Sequence, residues 1–162
     1  MDDKEFIKGV RDCEKALYTF LIRLLRDKEE AKEVMQTAIL KAWEGRNGFK
    51  GASQFKTWLF KIAMNVAMDR IREKEKLLEL KEYPFFDSVS DSIIKREENE
   101  KLQEALEKLP PRQRTALLLK IYGELTYSEI AKAMNLTEGA IKAHIHQAIK
   151  KLKESFNKDE MR

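Results

Sequence analysis

Apolar residues recur at steps of three and four along most of the chain, and alternation at steps of two is hard to find. Phe6, Val10, Cys13, Leu17, Phe20 or Leu21, and Leu24 fall on one side of a first helix, the spacing of an amphipathic face turned to a core. Asp27 followed by Glu30 has the form of a capping box, with Asp in the Ser/Thr role. It opens a second helix that turns Ala31, Val34, Met35, Ala38, Ala42 and Trp43 inward. "GRNGFKGAS", Gly45 to Ser53, then interrupts the pattern with half of the chain's 6 glycines, residues that permit turns and close backbone approaches. Ser53 is placed to cap a third helix, whose expected buried stripe is Phe55, Trp58 or Leu59, Ile62 and Val66. Lys61, Asn65, Met68 and Arg72 form a second stripe on another face of that helix.

From Lys74 the periodicity fades into "EYPFFDSVSDS", where Pro84 and the Ser/Asp cluster mark a linker. Phe85 and Phe86 within it are expected to dock on something. A further helix begins near Ser92 and runs through Leu102, Leu106 and Leu109. "LPPRQR" stops it and starts another, with Pro111 at the first helical position and Gly123 as the expected C-terminal cap. Thr126 and Glu129 then form a capping box. Ile130, Ala131 and Met134 face inward, Asn135 suits a left-handed turn residue, Leu136 plugs the turn and Thr137 caps the last helix. That helix buries Ile141, Ile145, Ala148 and Leu152. A short helix, a tight turn and a longer basic helix have the layout of a helix-turn-helix. The expected fold is all-α: two small helical domains, 1–78 and 96–162, joined by an acidic linker at 79–95.

Composition strengthens this picture, since Leu, Lys, Glu and Ala dominate and the 162 residues include only 6 Gly and 3 Pro. The net charge of +4 is unevenly spread. Residues 1–77 carry +4, residues 78–100 carry −4 and residues 101–162 carry +4. Two anion-facing surfaces or the solvated faces of Lys/Glu-rich helices would both give that distribution. The last helix is more pointed, because Gly139 to Lys153 holds Lys142, Lys150, Lys151 and Lys153 and no acidic residue. Lys142, Ala143, His144 and Gln147 near its start suit a major groove, with lysines on phosphates and His144 and Gln147 reaching base edges. The bland alternative is a helical hairpin with a solvated basic face.

His144 and His146 stand at i and i+2, diverge around a helix and do not chelate together, so no metal is expected. Cys13 is the only cysteine, which excludes an internal disulfide and suits a buried thiol. The acidic start "MDDKEF" lacks a signal peptide's character. The longest aliphatic run, "ALLL" at Ala116 to Leu119, is far too short to span a bilayer. A cytoplasmic location is expected. Gly-rich phosphate loops, HExxH and Cys/His pairings are missing from the sequence, so neither an enzyme nor a cofactor is expected.

"ALEKLPPRQRTALLLKIYGELTYSEIAKAMNLTEGAIKAHIHQAIKKLKE" resembles region 4 of bacterial sigma factors. LuxR-type regulators share "EIA" and the K-x-H of the last helix, which leaves this half ambiguous. "DKEEAKEVMQTAILKAW" resembles sigma regions 2.1–2.2, and "FKTWLFKIAMNVAMDRIR" resembles regions 2.3–2.4. Both halves in this order, with a short linker between, are similar to an extracytoplasmic-function (ECF) sigma factor. The resemblance implies a specificity subunit that binds core RNA polymerase, recognises −10 and −35 promoter elements and starts transcription of a stress-type regulon. It implies docking on the polymerase β′ clamp helices through Glu33, Gln36, Thr37 and Leu40, a further contact with the β flap, and an anti-sigma factor as a partner. Lys32 and Thr37 depart from the family's usual acidic residues.

For the −10 strand, the resemblance points to the glycine loop and the adjoining helix. Arg46, Asn47, Phe49 and Lys50 supply the side-chain types that hold an extruded base, and Lys56, Lys61, Asn65, Arg70 and Arg72 supply phosphate or base partners. Phe55 and Trp58 are read as core, and Asp69 as a residue that orients Arg72 or a cap rather than touching DNA. For the −35 duplex it points to Lys142, Ala143, His144, Gln147, Lys150 and Lys151, with Arg112 and Arg114 as phosphate contacts. His144 and Gln147 replace two usual arginines. Because Arg forks onto guanine and Gln pairs better with adenine, a −35 motif unlike the commonest one is expected. A LuxR-type regulator would need a receiver domain with βαβ alternation, and a purely structural helical adaptor would not bind polymerase.

Overall fold

Asp2 and Glu5 start the first helix by a reciprocal capping box: the Glu5 amide donates to Asp2 Oδ1 at 2.8 Å and the Asp2 amide to Glu5 Oε2 at 3.3 Å. The computed structural model describes residues 1–51, 53–81 and 97–160. They form seven α-helices: α1 (Asp3–Leu25), α2 (Lys28–Glu44), α3 (Phe55–Lys81), α4 (Glu97–Glu107), α5 (Pro111–Ile121), α6 (Tyr127–Met134) and α7 (Glu138–Glu160). A single 3₁₀ turn covers Arg46–Gly48, and no strand occurs among the described residues. The linker aromatics Phe85 and Phe86 and the expected helix start at Ser92 lie outside the described residues.

Two residues reverse the chain between α1 and α2. Arg26 takes a left-handed conformation (φ 64°), and the Asp27 carboxylate accepts from the Glu29 and Glu30 amides. Only that half of the expected capping box forms, because the Glu30 carboxylate instead faces Lys74 of α3. Phe6, Cys13, Leu17, Phe20, Leu21 and Leu24 of α1 are buried against Ala31, Val34, Ala38 and Ala42 of α2. The alanines of α2 let helix axes approach, and α3 closes the group against both helices.

The third helix departs from expectation at its start and on its buried face. It begins at Phe55, and the Gln54 carbonyl accepts from the Trp58 amide, so Gln54 rather than Ser53 stands at the cap. Its fully buried positions are Leu59, Phe60, Ala63, Met64 and Ala67, while Phe55, Trp58, Ile62 and Val66 are half-buried. The reason is a third neighbour: Phe60 packs toward Gly123 of the loop after α5, which draws the centre of the buried face round the helix.

In the second group, α5 is the central helix, with Ala116, Leu117, Leu118 and Leu119 all buried between α1, α6 and α7. Gly123 follows it but has no left-handed backbone; that conformation falls on Glu124 (φ 54°). Gly123 is there for space, since a Cβ would lie 2.6 Å from Leu125 Cδ1 and 2.7 Å from the Leu119 carbonyl oxygen. The Leu125 amide donates to that same carbonyl at 3.4 Å, closing the helix end.

The two groups meet along one seam. Arg26 pairs with Glu107, Arg23 Nη1 donates to Gln103 Oε1 at 3.2 Å, and Gln103 Nε2 donates back to the Arg23 carbonyl at 3.3 Å. Lys56 of α3 pairs with Glu124 at 3.7 Å. Beneath these polar contacts the buried side chains from α1 through α7 form one connected cluster.

Candidate nucleic-acid interface

Local hydrogen bonds define the helix-turn-helix. The Glu129 amide donates to Thr126 Oγ1 at 3.1 Å and the Thr126 amide to Glu129 Oε1 at 2.9 Å, so α6 begins with a complete capping box. Asn135 turns the chain in the left-handed conformation (φ 58°, ψ 45°). The Ala140 amide donates to Thr137 Oγ1 at 3.1 Å and starts α7. Ile130 and Ala131 of α6 and Ile141, Ile145 and Ala148 of α7 are buried, so the crossing of the two helices fixes which face of α7 is presented.

That face carries exposed Lys142, Ala143, Gln147, Lys150 and Lys151, while His144 is half-buried. The His144 Nδ1 is buried without a hydrogen-bond partner among the described residues. Lys142 and Lys120 both stand over the Tyr127 ring, at 5.7 and 4.6 Å, so an aromatic platform holds two cations beside the turn. Gln147 is bonded: Gln113 Nε2 donates to Gln147 Oε1 at 2.9 Å. Sequence reasoning did not single out Gln113. Its position three residues before Ala116 and four before Leu117 put a polar side chain on a buried face, and that was the available signal.

The two arginines of "LPPRQR" separate. Arg112 is exposed at the start of α5, whereas Arg114 is half-buried and its Nε has no hydrogen-bond partner among the described residues. Burial first, and then the nearby Arg26 charge, lower the Arg114 pKa, with Glu107 opposing. Arg114 therefore belongs to the seam, apart from the α7 lysines. Bordering the Lys120–Tyr127 platform, Leu117, Ile121, Ile145, Ile149, Leu152 and Phe156 line an open, mainly apolar groove between α5 and α7, with Lys153 and Asn157 also in its lining. Ile121 within it is 54% exposed.

In the first group an aromatic cluster joins the glycine loop to the helices. Phe6 contacts Trp43 and Phe55 edge-on at 5.2 and 5.6 Å, and Phe49 lies 5.0 Å from Trp58 and 6.1 Å from Phe55. Arg46 stacks 3.7 Å from the Trp43 ring centroid and donates to the Trp43 carbonyl at 2.8 Å. Phe49 and Arg46 are thus held rigidly at the loop, while Asn47 and Lys50 are exposed beside them. Lys61, Asn65 and Arg72 are exposed along α3, with Arg72 3.4 Å from Asp69. Two other cations are already partnered: Lys56 by Glu124 and Arg70 by Glu33. The bond to Glu33 raises the Arg70 pKa. Glu33, Gln36, Thr37 and Leu40 share the outer face of α2, where Leu40 is 57% exposed.

Among the described residues no His/Cys/Asp/Glu group is placed to hold a metal ion. No helix among them is long and apolar enough to cross a membrane.

Residues 10–77 match the family model described as Sigma-70 region 2, and residues 99–152 match that described as Sigma-70, region 4. The ECF RNA polymerase sigma factor SigW of Bacillus subtilis is 29% identical over 154 residues, covering 86% of this chain and 82% of that protein. Among solved structures, the sigma factor RpoE in complex with the anti-sigma factor NepR from Bartonella quintana superposes with a TM-score of 0.83 at 25% identity, over 95% of this chain and 98% of that one. CnrH in complex with the cytosolic domain of CnrY shares the fold, with a TM-score of 0.73 at 21% identity, over 98% of this chain and 91% of that one. Sigma-70 regions 2 and 4 thus follow one another in one short chain. The chain belongs to the ECF group of the sigma-70 family.

Proposed function

We propose that the exposed face of α7 reads the −35 duplex and that the glycine loop with α3 holds the opened −10 strand. The chain is an alternative sigma factor, directing transcription initiation by RNA polymerase. The observation that carries the residue-level reading is the capped helix-turn-helix whose outward face is wholly cationic or neutral from Gly139 to Lys153. Phosphates meet Lys142, Lys150, Lys151 and Arg112, and Ala143, His144 and Gln147 lie closest to base edges. At the other module, Phe49 against Trp58 supplies a rigid aromatic wall, and Asn47, Lys50, Lys61, Asn65 and Arg72 flank it.

The outer face of α2 around Leu40 is our candidate for the β′ clamp helices, and the α5/α7 groove for the β flap. An exposed leucine and an exposed isoleucine groove are what such partner surfaces require. Residues 1–78 and 96–162 act as the two binding modules, and 79–95 as the tether. The RpoE and CnrH structures are complexes with NepR and CnrY, so we assign this chain an anti-sigma partner of comparable kind. Binding without catalysis, in the cytoplasm, completes the proposal. A LuxR-type regulator finds no support, since α1–α3 occupy the place of a receiver domain and match region 2.

Run-off transcription with core polymerase on a promoter library tests this reading. Initiation on a subset sharing a −35 and a −10 motif is expected only when the protein is added. Lys142→Ala should weaken initiation across all −35 sequences and reduce the salt dependence. Transcription that ignores the chain altogether would overturn it.

A further inference from the structure

The Gln113–Gln147 bond joins a side chain only 7% exposed on α5 to one exposed on the outer face of α7, across 34 positions of sequence. Its polarity matters. Gln113 gives its NH₂ to the Gln147 carbonyl at 2.9 Å, and the Gln113 carbonyl itself is buried with no partner among the described residues. A free glutamine reads adenine with both ends of its amide, accepting from N6 and donating to N7. Here the accepting end of Gln147 is turned to Gln113, which leaves its NH₂ as the end that Gln113 does not engage.

We propose that Gln113 is a positioning residue that sets base specificity: it holds the Gln147 amide so that Gln147 acts as a donor and selects guanine over adenine in the −35 duplex. Guanine shows two acceptors, N7 and O6, in the major groove, whereas adenine shows N7 beside the N6 donor, which opposes a second NH₂. The inference rests on the reading of α7 as the −35 helix. It also revises the adenine preference that an unrestrained glutamine would have. Gln113 touches no DNA in this scheme and acts wholly through Gln147.

The test uses holoenzyme assembled from core polymerase and the full chain, on a promoter library randomised across the −35 element, with initiating sequences counted. The native chain should favour guanine over adenine about tenfold at one position, and Gln147→Ala should flatten that position alone. Gln113→Met keeps the side-chain volume and lacks the donor, so it should free the amide and move the preference at the same position to adenine. Gln113→Glu accepts from the Gln147 NH₂, turns its carbonyl outward and should favour a base donor, cytosine N4 or adenine N6. Thermal melting of each variant separates a lost fold from an altered preference, and the Met and Glu variants give independent readings.

A native preference for adenine at the Gln147-dependent position overturns the proposal. So does a profile that changes with Gln147→Ala but is the same in the native, Gln113→Met and Gln113→Glu proteins. A −35 profile indifferent to Gln147→Ala removes Gln147 from base reading and the proposal with it, leaving the sigma assignment intact. Absence of initiation on every promoter by the native holoenzyme instead sinks the functional reading itself.

Discussion

A methyl group on Gly123 would meet the Leu119 carbonyl oxygen at 2.7 Å and Phe60 Cδ1 at 3.1 Å. The carbonyl belongs to the backbone of α5 and cannot swing away. Gly123→Ala should therefore destabilise the protein by about 1–3 kcal/mol, the range for forced overpacking, in urea or thermal unfolding. Cys13 gives a pH signature. Its thiol is buried, bonds to the Gly9 carbonyl at 3.2 Å, and is pushed from 9.0 up to about 11, mainly by burial. Between those values the unfolded chain has already released a proton that the folded chain keeps. Stability is thus whole below pH 9 and falls as pH rises toward 11. Cys13→Ala should remove that part of the alkaline slope, read from urea midpoints across the range, and the native thiol should resist alkylation at neutral pH.

Among elements, the helix-turn-helix was legible in the sequence because each of its signals is local. Thr126 and Glu129, Asn135, and Thr137 bond within a few residues of themselves, and no distant contact changes their geometry. The buried face of α3 was not legible, because Phe60 owes its burial to a loop more than 60 positions away in the chain. The Asp27 box was half-legible for a related reason: Lys74 on another helix claims the Glu30 carboxylate. Gln113 belongs to the same class: its place on a buried face marks it, but no local pattern names Gln147, 34 positions on, as its partner. The local character of the Thr126 cap yields an expectation of its own. Thr126→Ala should reduce stability by about 1 kcal/mol, and far more modestly in a Thr126→Ser chain, as measured by thermal unfolding. Because the cap sets where α6 begins, the alanine variant should also weaken −35 binding without altering which base Gln147 prefers.

At the scale of the molecule, the seam between α1–α3 and α4–α7 sets a geometric problem. The −10 and −35 elements are centred about 25 base pairs apart, roughly 85 Å along B-form DNA at about 3.4 Å per pair. A folded chain of 162 residues has a radius of gyration of only about 15 Å when its parts are packed together. With Arg26 on Glu107, Arg23 on Gln103, Lys56 on Glu124 and Phe60 beside Gly123, α7 and the glycine loop cannot lie on both elements at once. On the proposed reading the seam parts when promoter is engaged, and parting also releases Lys56 from Glu124 and uncovers Arg114, two cations that the sequence resemblance points to as DNA contacts. Its polar members add little resistance, since exposed ion pairs contribute about 1 kcal/mol or less each, so the buried cluster beneath them sets the cost of parting. Dyes on the outer faces of α2 and α7 should show efficient energy transfer in the free protein and lose it in the promoter complex. Arg26→Glu should lower the transfer in the free protein, and adding Glu107→Arg should restore it, because the swapped pair re-forms the bridge. Equal transfer in the free and promoter-bound states would mean that the two elements are reached without separating the groups, and the geometric argument would fail.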